Sequence, residues 1–432
     1  MNTAMWRERR ASRRAVNASI PVLAAALPAL AFTASGSPRS TMAASRQATP
    51  VPGSSGGDLE ARLRPIIEQK MDELLIPGAA VLVRTPAEEY VQAFGARTIG
   101  QDDPVTIDDN FRIGSNTKTM SGTVLLQLVQ EGLISLDDPV SKYREDIPNG
   151  ENITISMLLD MTSGLHNYTE LESFNKVMDD DPGRAWQPEE LLAIGIAEPP
   201  YFAPGEGFHY SNTNTVLFAL IAEQLTGKPL EALFTERIFV PLGLKHTVFP
   251  TIDDASLPDP HPHGYLYGTN VSTLETTELP KDEQDAARSG SLLPNDVTDL
   301  NPSWAWAAGA ASSTVSDLAI YVRALVGGGL LDAALQEERL ASLHPTTDAP
   351  GAAAYGLALA KFGQFIGHDG SLPGYQSFMA HDPATDTTLI VVTNLQSSPD
   401  GLMTANEIAR SIIGELYGAS SLNGSPSATP AS

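Results

Sequence analysis

Short apolar segments typical of β-strands lie near both ends of this sequence, and a long region of different character separates them. The first group comprises residues 78–84 and 90–94, and the second lies within residues 355–394. The intervening residues 136–300 are punctuated by prolines and are mostly helical or looped in character. This order implies one antiparallel sheet assembled from both ends of the chain.

Segments with helical periodicity flank these strands. Residues 59–75 place their apolar side chains on one face, and residues 316–325 and 403–416 are also predicted to be helical. We therefore expect an α+β fold in which an antiparallel sheet is flanked by N- and C-terminal helices and joined to a mostly helical lobe. A functional site is expected at the boundary between the lobes.

The sequence divides into segments that differ in composition and pattern. In chain order we predict an export signal at residues 1–34, a flexible linker at 35–57, an α/β lobe from 58–135 and 301–418 that encloses a helical lobe at 136–300, and a disordered tail at 419–432. The two lobes together form the folded domain, residues 58–418.

The first residues carry a basic region followed by an apolar one, which is typical of a secretory signal. Five arginines lie within the first fourteen residues, and residues 20–34 are apolar and rich in alanine. The apolar run is shorter than the roughly 20 residues needed to span a bilayer, and Pro21 and Pro28 interrupt it. We expect a cleaved signal and a secreted or extracytoplasmic protein with no stable membrane span, rather than a membrane anchor.

Composition excludes several classes of function. The formal net charge of −25 argues against nucleic acid and anionic membrane surfaces as partners. Cysteine is absent, so disulfides, thiolate metal sites and a cysteine nucleophile are excluded. The sequence has no phosphate-binding glycine loop or dinucleotide fingerprint, and we expect no cofactor. His261 and His263 lie in a proline-rich loop without a third ligand, so no metal site is predicted.

Ser115 and Lys118 form the first candidate catalytic pair. Residues three apart on a helix are neighbours, so the lysine could take the proton of the serine hydroxyl. Gly114 allows a tight entry into this helix, whose N-terminus favours developing negative charge. A helix-capping serine followed by a solvated lysine is the alternative. A second match to this spacing, Ser173 with Lys176, lies in an acidic, loop-like region and is interpreted as chance.

Tyr210 and Asn212 form a second candidate pair, just before a helical run. A tyrosine beside a lysine ammonium would have a lowered pKa and could act as a base. The amide of Asn212 could bond a substrate amide and Lys118 together. A loop tyrosine followed by a helix-capping asparagine is the alternative.

His368, Asp369, Gly370 and Ser371 form a third candidate group after an apparent strand. The edge of a strand can present backbone N–H groups to a substrate, and a glycine permits close approach. Because Asp-Gly is a common turn pair, a plain turn is the alternative.

In this order, the three groups resemble the motifs of penicillin-recognising serine hydrolases, the serine β-lactamase and D-alanyl-D-alanine carboxypeptidase family, which also includes esterases and D-peptidases. The matching patterns are Ser-x-x-Lys, Tyr-x-Asn and His-x-Gly; a related set with Lys-Thr-Gly is a catalytic signature. The resemblance covers roughly residues 58–418. The carboxypeptidase branch is the most similar, because it carries Tyr-Ser-Asn and a histidine in the third motif.

The resemblance implies a role for each residue. Ser115 would be acylated, Lys118 and Tyr210 would move protons, and Asn212 would position the substrate amide. The backbone N–H groups of Ser115 and Ser371 would form an oxyanion hole. Which of Lys118 and Tyr210 is the base stays open, because the two would titrate together.

The third motif also contains a departure from the family pattern. His368 would take the place of the usual cation or donor, but Asp369 stands where Thr or Ser usually binds a substrate carboxylate. Since carboxylates repel each other, either Asp369 points away or the substrate end is not anionic. Lys361, on the neighbouring strand, is a cation that could compensate. A neutral ester or an amine-bearing substrate is therefore favoured.

The sequence predicts an exported serine hydrolase that cleaves an amide or ester through an acyl-enzyme, most like a D-alanyl-D-alanine carboxypeptidase. Its expected partners are small peptide, ester or β-lactam substrates, and the oligomeric state is left open. A carboxylesterase or D-aminopeptidase of the same family is one alternative. A non-catalytic penicillin- or peptide-binding protein is another.

Overall fold

The computed structural model describes residues 58–349 and 352–418 of the protein. The predicted export signal, flexible linker and C-terminal tail lie outside these residues. Among the helices of the described residues, none combines the length and the apolar character that crossing a membrane requires.

Helices and strands follow one another in the expected order: a helix, a hairpin, a mainly helical middle, then strands and a closing helix. The α-helices of the described residues are α1 (Asp58–Leu74), α2 (Asn116–Gln130), α3 (Ile155–Leu159), α4 (Glu172–Asp180), α5 (Pro188–Ala197), α6 (Asn212–Thr226), α7 (Leu230–Phe234), α8 (Val240–Leu242), α9 (Lys281–Arg288), α10 (Val315–Gly327), α11 (Ala333–Ala341) and α12 (Thr404–Tyr417). The strands are β1 (Gly78–Arg84), β2 (Glu89–Gly95), β3 (Phe111–Arg112), β4 (Tyr265–Leu266), β5 (Asn295–Asp296), β6 (Ser312–Ser313), β7 (His344–Pro345), β8 (Ala354–Gly356), β9 (Leu359–Phe362), β10 (Phe365–Leu372), β11 (Tyr375–Asp382) and β12 (Thr387–Thr393).

One antiparallel sheet contains the strand groups from both ends of the chain. Over the described residues it has eight strands, in the order β2-β1-β12-β11-β10-β9-β8-β7. Strands β1 and β12 join the two groups, in a register that pairs Ala79 with Thr393 and Arg84 with Thr388. The prediction of an α+β fold with an antiparallel sheet built from both chain ends is confirmed.

Strand β1 is buried on both faces, because its alternate side chains enter two different cores. Ala79, Val81 and Val83 pack in the core that contains α1 and α12. Ala80 and Leu82 face the opposite core, which contains α2, α6 and α10. The sheet is therefore a layer between helices, and this explains why β1 is a continuous apolar run rather than an alternating one.

Helix α2 lies where the sheet meets the helical part of the chain, in contact with both α6 and β10. Every residue from Asn116 to Leu126 is buried. A helix covered on all sides needs a small residue wherever a neighbour comes close. Gly122 meets this need, since a Cβ there would lie 2.2 Å from the Cβ of Ala358. Packing along the whole of α2 thus fixes the position of its first turn.

The first of the strand segments expected within residues 355–394 is divided into two strands, β8 and β9, which are joined by a tight turn. Ala358 has a φ of +50°, and its N–H donates to the carbonyl oxygen of Leu159 at 2.9 Å. The buried guanidinium of Arg339 donates to the carbonyl oxygens of Leu357 and Ala358, each at 3.1 Å. These long-range hydrogen bonds hold the turn beside α2 and override the local strand preference.

We expect Gly122→Ala to destabilise the protein, although alanine is the better helix former by about 1 kcal/mol. The added methyl group would meet the Cβ of Ala358 at 2.2 Å, and overpacking of a core typically costs about 1–3 kcal/mol. The matched control is Gly327→Ala at the end of α10, where no atom lies within 4 Å of the added carbon. Urea unfolding should show a loss of stability for the first variant only. A stabilised Gly122→Ala protein would contradict the packing described for α2.

Candidate active site

Gly114 turns the chain into α2 and brings the first motif against the third. Its φ is +52°, a left-handed conformation that glycine adopts at little cost. A Cβ at Gly114 would lie 2.7 Å from the backbone nitrogen of Ser371, so the two segments are in contact. Ser115 follows as the N-cap residue of α2, and it lines the cleft described below.

Strand β10 carries the third motif along a partly open edge. It pairs with β9 only through residues 365–367, whereas residues 366–372 pair with β11. Gly370 therefore lies in a strand and not in a turn; the turn falls at Gly374, where φ is +93°. A Cβ at Gly370 would lie 2.0 Å from the carbonyl oxygen of Ile113, so only glycine allows this close approach.

Lys118 extends from the first turn of α2 to the hydroxyl of Ser115. Its Nζ lies 3.0 Å from Ser115 Oγ and 2.9 Å from the carbonyl oxygen of Ala308. The residue is 1% exposed. Burial holds the pKa of Lys118 well below its usual value, although the negative charge of Asp369 opposes this shift. A neutral amine one hydrogen bond from a serine hydroxyl has the geometry of a general base.

The phenol of Tyr210 lies beside the same two residues. Lys118 Nζ is 4.7 Å from its ring centroid, and the phenol oxygen is buried without a hydrogen bond of normal geometry. Burial raises the pKa of Tyr210 well above its usual value, and Tyr355 and Asp369 add to this rise. The nearby hydroxyl of Ser115 opposes it. The expectation of a lowered Tyr210 pKa is therefore wrong, because burial dominates, and the phenol is neutral.

His368 is buried and uncharged. Burial lowers the pKa of His368 to about 4, an effect that the charge of Asp369 opposes. Its Nδ1 lies 2.5 Å from the carbonyl oxygen of Asp369, which only accepts, so Nδ1 carries the proton. The bare Nε2 lies 3.3 Å from the hydroxyl of Tyr355, which donates to it. Of the two roles that the resemblance implied for this position, cation or donor, the uncharged resting imidazole does not take that of the cation.

Asn212 begins α6 and lines the same cleft. Its side-chain nitrogen donates to Thr169 Oγ1 at 3.0 Å, and its backbone N–H donates to Asn167 Oδ1 at 3.1 Å. The predicted hydrogen bond between Asn212 and Lys118 is not formed; the amide nitrogen donates to Thr169, and the lysine amine bonds to Ser115 and Ala308.

Asp369 places a carboxylate in the cleft. Its side chain is 31% exposed, and its Oδ2 accepts a hydrogen bond of 2.8 Å from Asn406 Nδ2. Lys361 does not line the cleft, whereas its neighbours Ala360 and Phe362 do, because successive side chains of a strand point to opposite faces. The compensation that the sequence suggested for Lys361 is therefore absent at this cleft.

A cleft of about 690 Å³ opens over Ser115, large enough for a small substrate. Its described lining includes no lysine or arginine, and Asp369 is its single carboxylate. Much of the wall is apolar or aromatic, including Met178, Phe208, Leu274, Trp304, Tyr355, Phe362, Leu372 and Met403. The cleft thus combines apolar walls with one partly exposed carboxylate.

Several residues of the site were not indicated by the sequence. Ala308 supplies a backbone carbonyl to Lys118, and a carbonyl has no sequence signal. Tyr355 is hydrogen-bonded to His368, and Asn406 is hydrogen-bonded to Asp369. In each case the two partners are far apart in the sequence. Contacts between residues that are distant in the sequence leave no local sequence pattern, so they could not have been predicted.

The two minor candidates from the sequence lie away from this site. Ser173 and Lys176 are exposed on α4, where Lys176 pairs with Asp180 at 3.0 Å. His261 Nδ1 and His263 Nδ1 each lie near the carboxylate of a single aspartate, at 3.1 Å from Asp259 and 2.6 Å from Asp296. Within the part of the chain that the structure describes, no group of three or more His, Asp or Glu residues could hold a metal ion.

Comparison with known proteins identifies the family. The family model named Beta-lactamase matches residues 63–412, which is most of the chain. The protein therefore belongs to the β-lactamase family.

Curated relatives match over much of the same region. "Protein flp" of Staphylococcus aureus (strain MW2) is 26% identical over 353 residues, which is 79% of this chain and 64% of that protein. "Penicillin-binding protein 4*" of Bacillus subtilis (strain 168) is 25% identical over 320 residues, 72% of this chain and 66% of that protein. The matched region thus spans 64% to 66% of the length of these relatives.

Solved structures share the fold. A D-stereospecific amidohydrolase from Streptomyces sp. superposes with a TM-score of 0.68 at 28% identity, covering 82% of this chain and 98% of that one. The D-amino acid amidase from Ochrobactrum anthropi SV3, complexed with L-phenylalanine, gives 0.68 at 26% identity, covering 82% and 97%. The penicillin-binding protein from Bacillus halodurans, at 21% identity and a TM-score of 0.65, covers 80% and 98% and shows the fold alone.

Gly370→Ala should disrupt this site. The added methyl group would meet the carbonyl oxygen of Ile113 at 2.0 Å, and rotation of a side chain cannot relieve a contact with the backbone. We expect a lower melting temperature and a loss of ester hydrolysis of about 10²-fold, the effect typical of a displacement of about 1 Å. The control is Gly183→Ala, with no atom within 4 Å of the added carbon. Full activity in Gly370→Ala would show that β10 and the start of α2 are not in close contact.

Proposed function

We propose that the protein hydrolyses amides whose substrate carries a free amino group, as a D-amino-acid amidase or D-aminopeptidase would. The observation that carries this proposal is Asp369, the single carboxylate in a cleft whose described lining has no lysine or arginine. A carboxylate at this place attracts an ammonium group and repels a substrate carboxylate. The site therefore suits carboxypeptidase action, the first hypothesis from the motifs, less well.

The structural relatives support the substrate class. One is described as a D-stereospecific amidohydrolase and another as a D-amino acid amidase, at 28% and 26% identity to this chain. We extend the preference for D-configured substrates to this protein on that likeness. The apolar and aromatic walls of the cleft favour an apolar substrate side chain.

In the proposed reaction, Ser115 Oγ attacks the amide carbonyl carbon while its proton passes to the neutral amine of Lys118. The C–N bond then breaks, and the leaving amine takes a proton from the phenol of Tyr210, which recovers one from the Lys118 ammonium. The acyl-enzyme remains. Water attacks its ester carbon and gives a proton to Lys118. The bond to Ser115 Oγ then breaks, this oxygen takes the proton from the Lys118 ammonium, and the carboxylic acid leaves.

The directions of the two pKa shifts support this division of roles. A lowered pKa favours the neutral form of Lys118, which can accept a proton, and a raised pKa favours the protonated form of Tyr210, which can donate one. The backbone N–H groups of Ser115 and Ser371 are proposed as the oxyanion hole. The two segments lie close together, since a Cβ at Gly114 would be 2.7 Å from the backbone nitrogen of Ser371.

A substrate panel tests the proposal. D-phenylalanine amide should be hydrolysed faster than its N-acetyl derivative, which lacks the ammonium group. Asp369→Asn should reduce kcat/KM for the free amine by about 10-fold or more, since hydrogen bonds to charged groups contribute about 1.5–3 kcal/mol. The loss for the N-acetyl amide should be smaller. Ser115→Ala is the control: it should abolish turnover and any acyl adduct seen by intact mass.

The same panel separates the alternatives. Faster cleavage of an amino-blocked D-alanyl-D-alanine peptide than of D-phenylalanine amide would reject ammonium recognition in favour of a carboxypeptidase. Turnover of p-nitrophenyl esters with none of either amide would indicate a carboxylesterase.

The pH dependence tests the role of Lys118 as base. A base must be neutral, so hydrolysis of a neutral ester should be lost as the pH falls through the Lys118 pKa, which burial places well below that of an ordinary lysine. The charge of Asp369 raises this pKa, so Asp369→Asn should move the acidic limb of the kcat/KM profile to lower pH. Asp102→Asn, at an exposed position, is the control and should leave the limb in place. Movement to higher pH in Asp369→Asn would contradict the assignment.

A further inference from the structure

The segment that carries Tyr210 and Asn212 is held by a carboxylate outside the three motifs. Glu170 Oε1 lies 2.8 Å from Nε2 of His209, the residue immediately before Tyr210. The second oxygen, Oε2, accepts a hydrogen bond from the hydroxyl of Tyr201. One side of the motif is therefore tied to Glu170 directly.

A second branch from Glu170 reaches the other side of the motif. The side-chain nitrogen of Asn167 donates to Glu170 Oε1 at 3.3 Å, and Asn167 Oδ1 accepts from the backbone N–H of Asn212 at 3.1 Å. Thr169 donates to the same Asn167 oxygen at 3.0 Å and accepts from the Asn212 side chain at 3.0 Å. Hydrogen bonds thus bracket Tyr210 on both sides.

Aromatic stacking limits the freedom of His209 further. Its ring stacks on that of Tyr201, with centroids 3.6 Å apart and planes inclined by 27°. Tyr201 stacks in turn on His166, with centroids 4.6 Å apart. The Tyr201 hydroxyl also accepts from the backbone N–H of Asn167 at 3.1 Å, so its own proton is directed to Glu170. The side chains of His209, Tyr201 and Asn167 thus all donate to the carboxylate of Glu170.

Glu170 is ionised in this network. Burial by itself would raise its pKa, but hydrogen bonds from His209 and Tyr201 outweigh burial and lower the pKa of Glu170 to about 2. Hydrogen bonds to an ionised acceptor are roughly twice as strong as neutral ones. Removing the carboxylate would leave its partly buried donors without their partner and free the segment to move.

We propose that Glu170 and His209 are positioning residues, whose hydrogen bond holds Tyr210 and Asn212 in place at Ser115. This inference rests on the roles proposed above for Ser115 and Tyr210. A displacement of about 1 Å in a catalytic group can cost about 10²-fold in rate. Loss of the Glu170 carboxylate therefore lowers the rate of the chemical step more than it changes substrate binding.

The test is the rate of Ser115 acylation by p-nitrophenyl acetate, measured with the full chain. Glu170→Ala should lower the acylation rate constant at saturating ester by about 10- to 100-fold, with KM changed much less. Glu170→Gln, which keeps an acceptor oxygen for Tyr201, should recover a large part of this rate. A change in KM alone, or no recovery by glutamine, would overturn the inference.

Asp138→Ala is the matched control. Asp138 accepts hydrogen bonds from Tyr143 and Lys142, which also lower its pKa to about 2, and it does not line the cleft. It should leave the acylation rate unchanged even if it lowers the melting temperature. Equal rate losses in Asp138→Ala and Glu170→Ala would indicate general destabilisation and reject a positioning role.

A second variant keeps the inference testable if Glu170→Ala does not fold. His209→Phe retains a ring to stack on Tyr201 but removes the hydrogen bond to Glu170, and it should show the same selective loss of acylation rate. Wild-type rates in His209→Phe would overturn the inference. If the wild-type protein itself is not acylated at Ser115, the proposed function fails as well; normal wild-type acylation with an unaffected Glu170→Ala variant rejects this inference alone.

Discussion

Lys118 lies inside a helix that is covered on every side, so its amine has lost the water that normally keeps a lysine protonated. The apolar packing of α2 between the sheet and α6 supplies the free energy that holds the amine there. Its polar neighbours within hydrogen-bonding distance are the carbonyl oxygen of Ala308 and the hydroxyl of Ser115. The close approach at Gly122 belongs to the same arrangement, because a looser α2 would admit water to the amine. The proposed chemistry at Ser115 thus depends on core packing.

Asp369 links that chemistry to the choice of substrate. Its charge raises the pKa of both Lys118 and Tyr210, which works against the neutral lysine but favours the protonated phenol. A fully buried carboxylate in the same position would keep the lysine protonated far more strongly, since the interaction between two charges is stronger when less water surrounds them. The Asp369 side chain is 31% exposed and is held by Asn406, so it can bind the ammonium group of a substrate in the cleft. Water around the carboxylate weakens its effect on the pKa of Lys118.

The sequence predicted those parts of the site that follow from local spacing. Ser115 and Lys118 lie one helical turn apart, so periodicity alone placed them together, and the order of apolar segments predicted the sheet. The direction of the Tyr210 pKa shift was wrong, because burial depends on the whole fold and not on the neighbouring lysine. Glu170 was not identified at all, since it meets His209 across 39 residues of chain with no periodic pattern to mark it.

Substrate choice and proton transfer reside on different elements of this fold. The proposed nucleophile and base belong to α2, and Tyr210 belongs to the segment before α6 that Glu170 holds, whereas Asp369 lies on β10. A side chain on the open edge of a strand can be exchanged without moving the start of α2, because β10 meets the segment that leads into α2 through the backbone of Gly370 and Ile113. The first two motifs therefore indicate the type of reaction, and the middle residue of the third motif indicates the type of substrate. A departure at that residue is compatible with an intact catalytic apparatus, and it favours a change of substrate over a loss of activity.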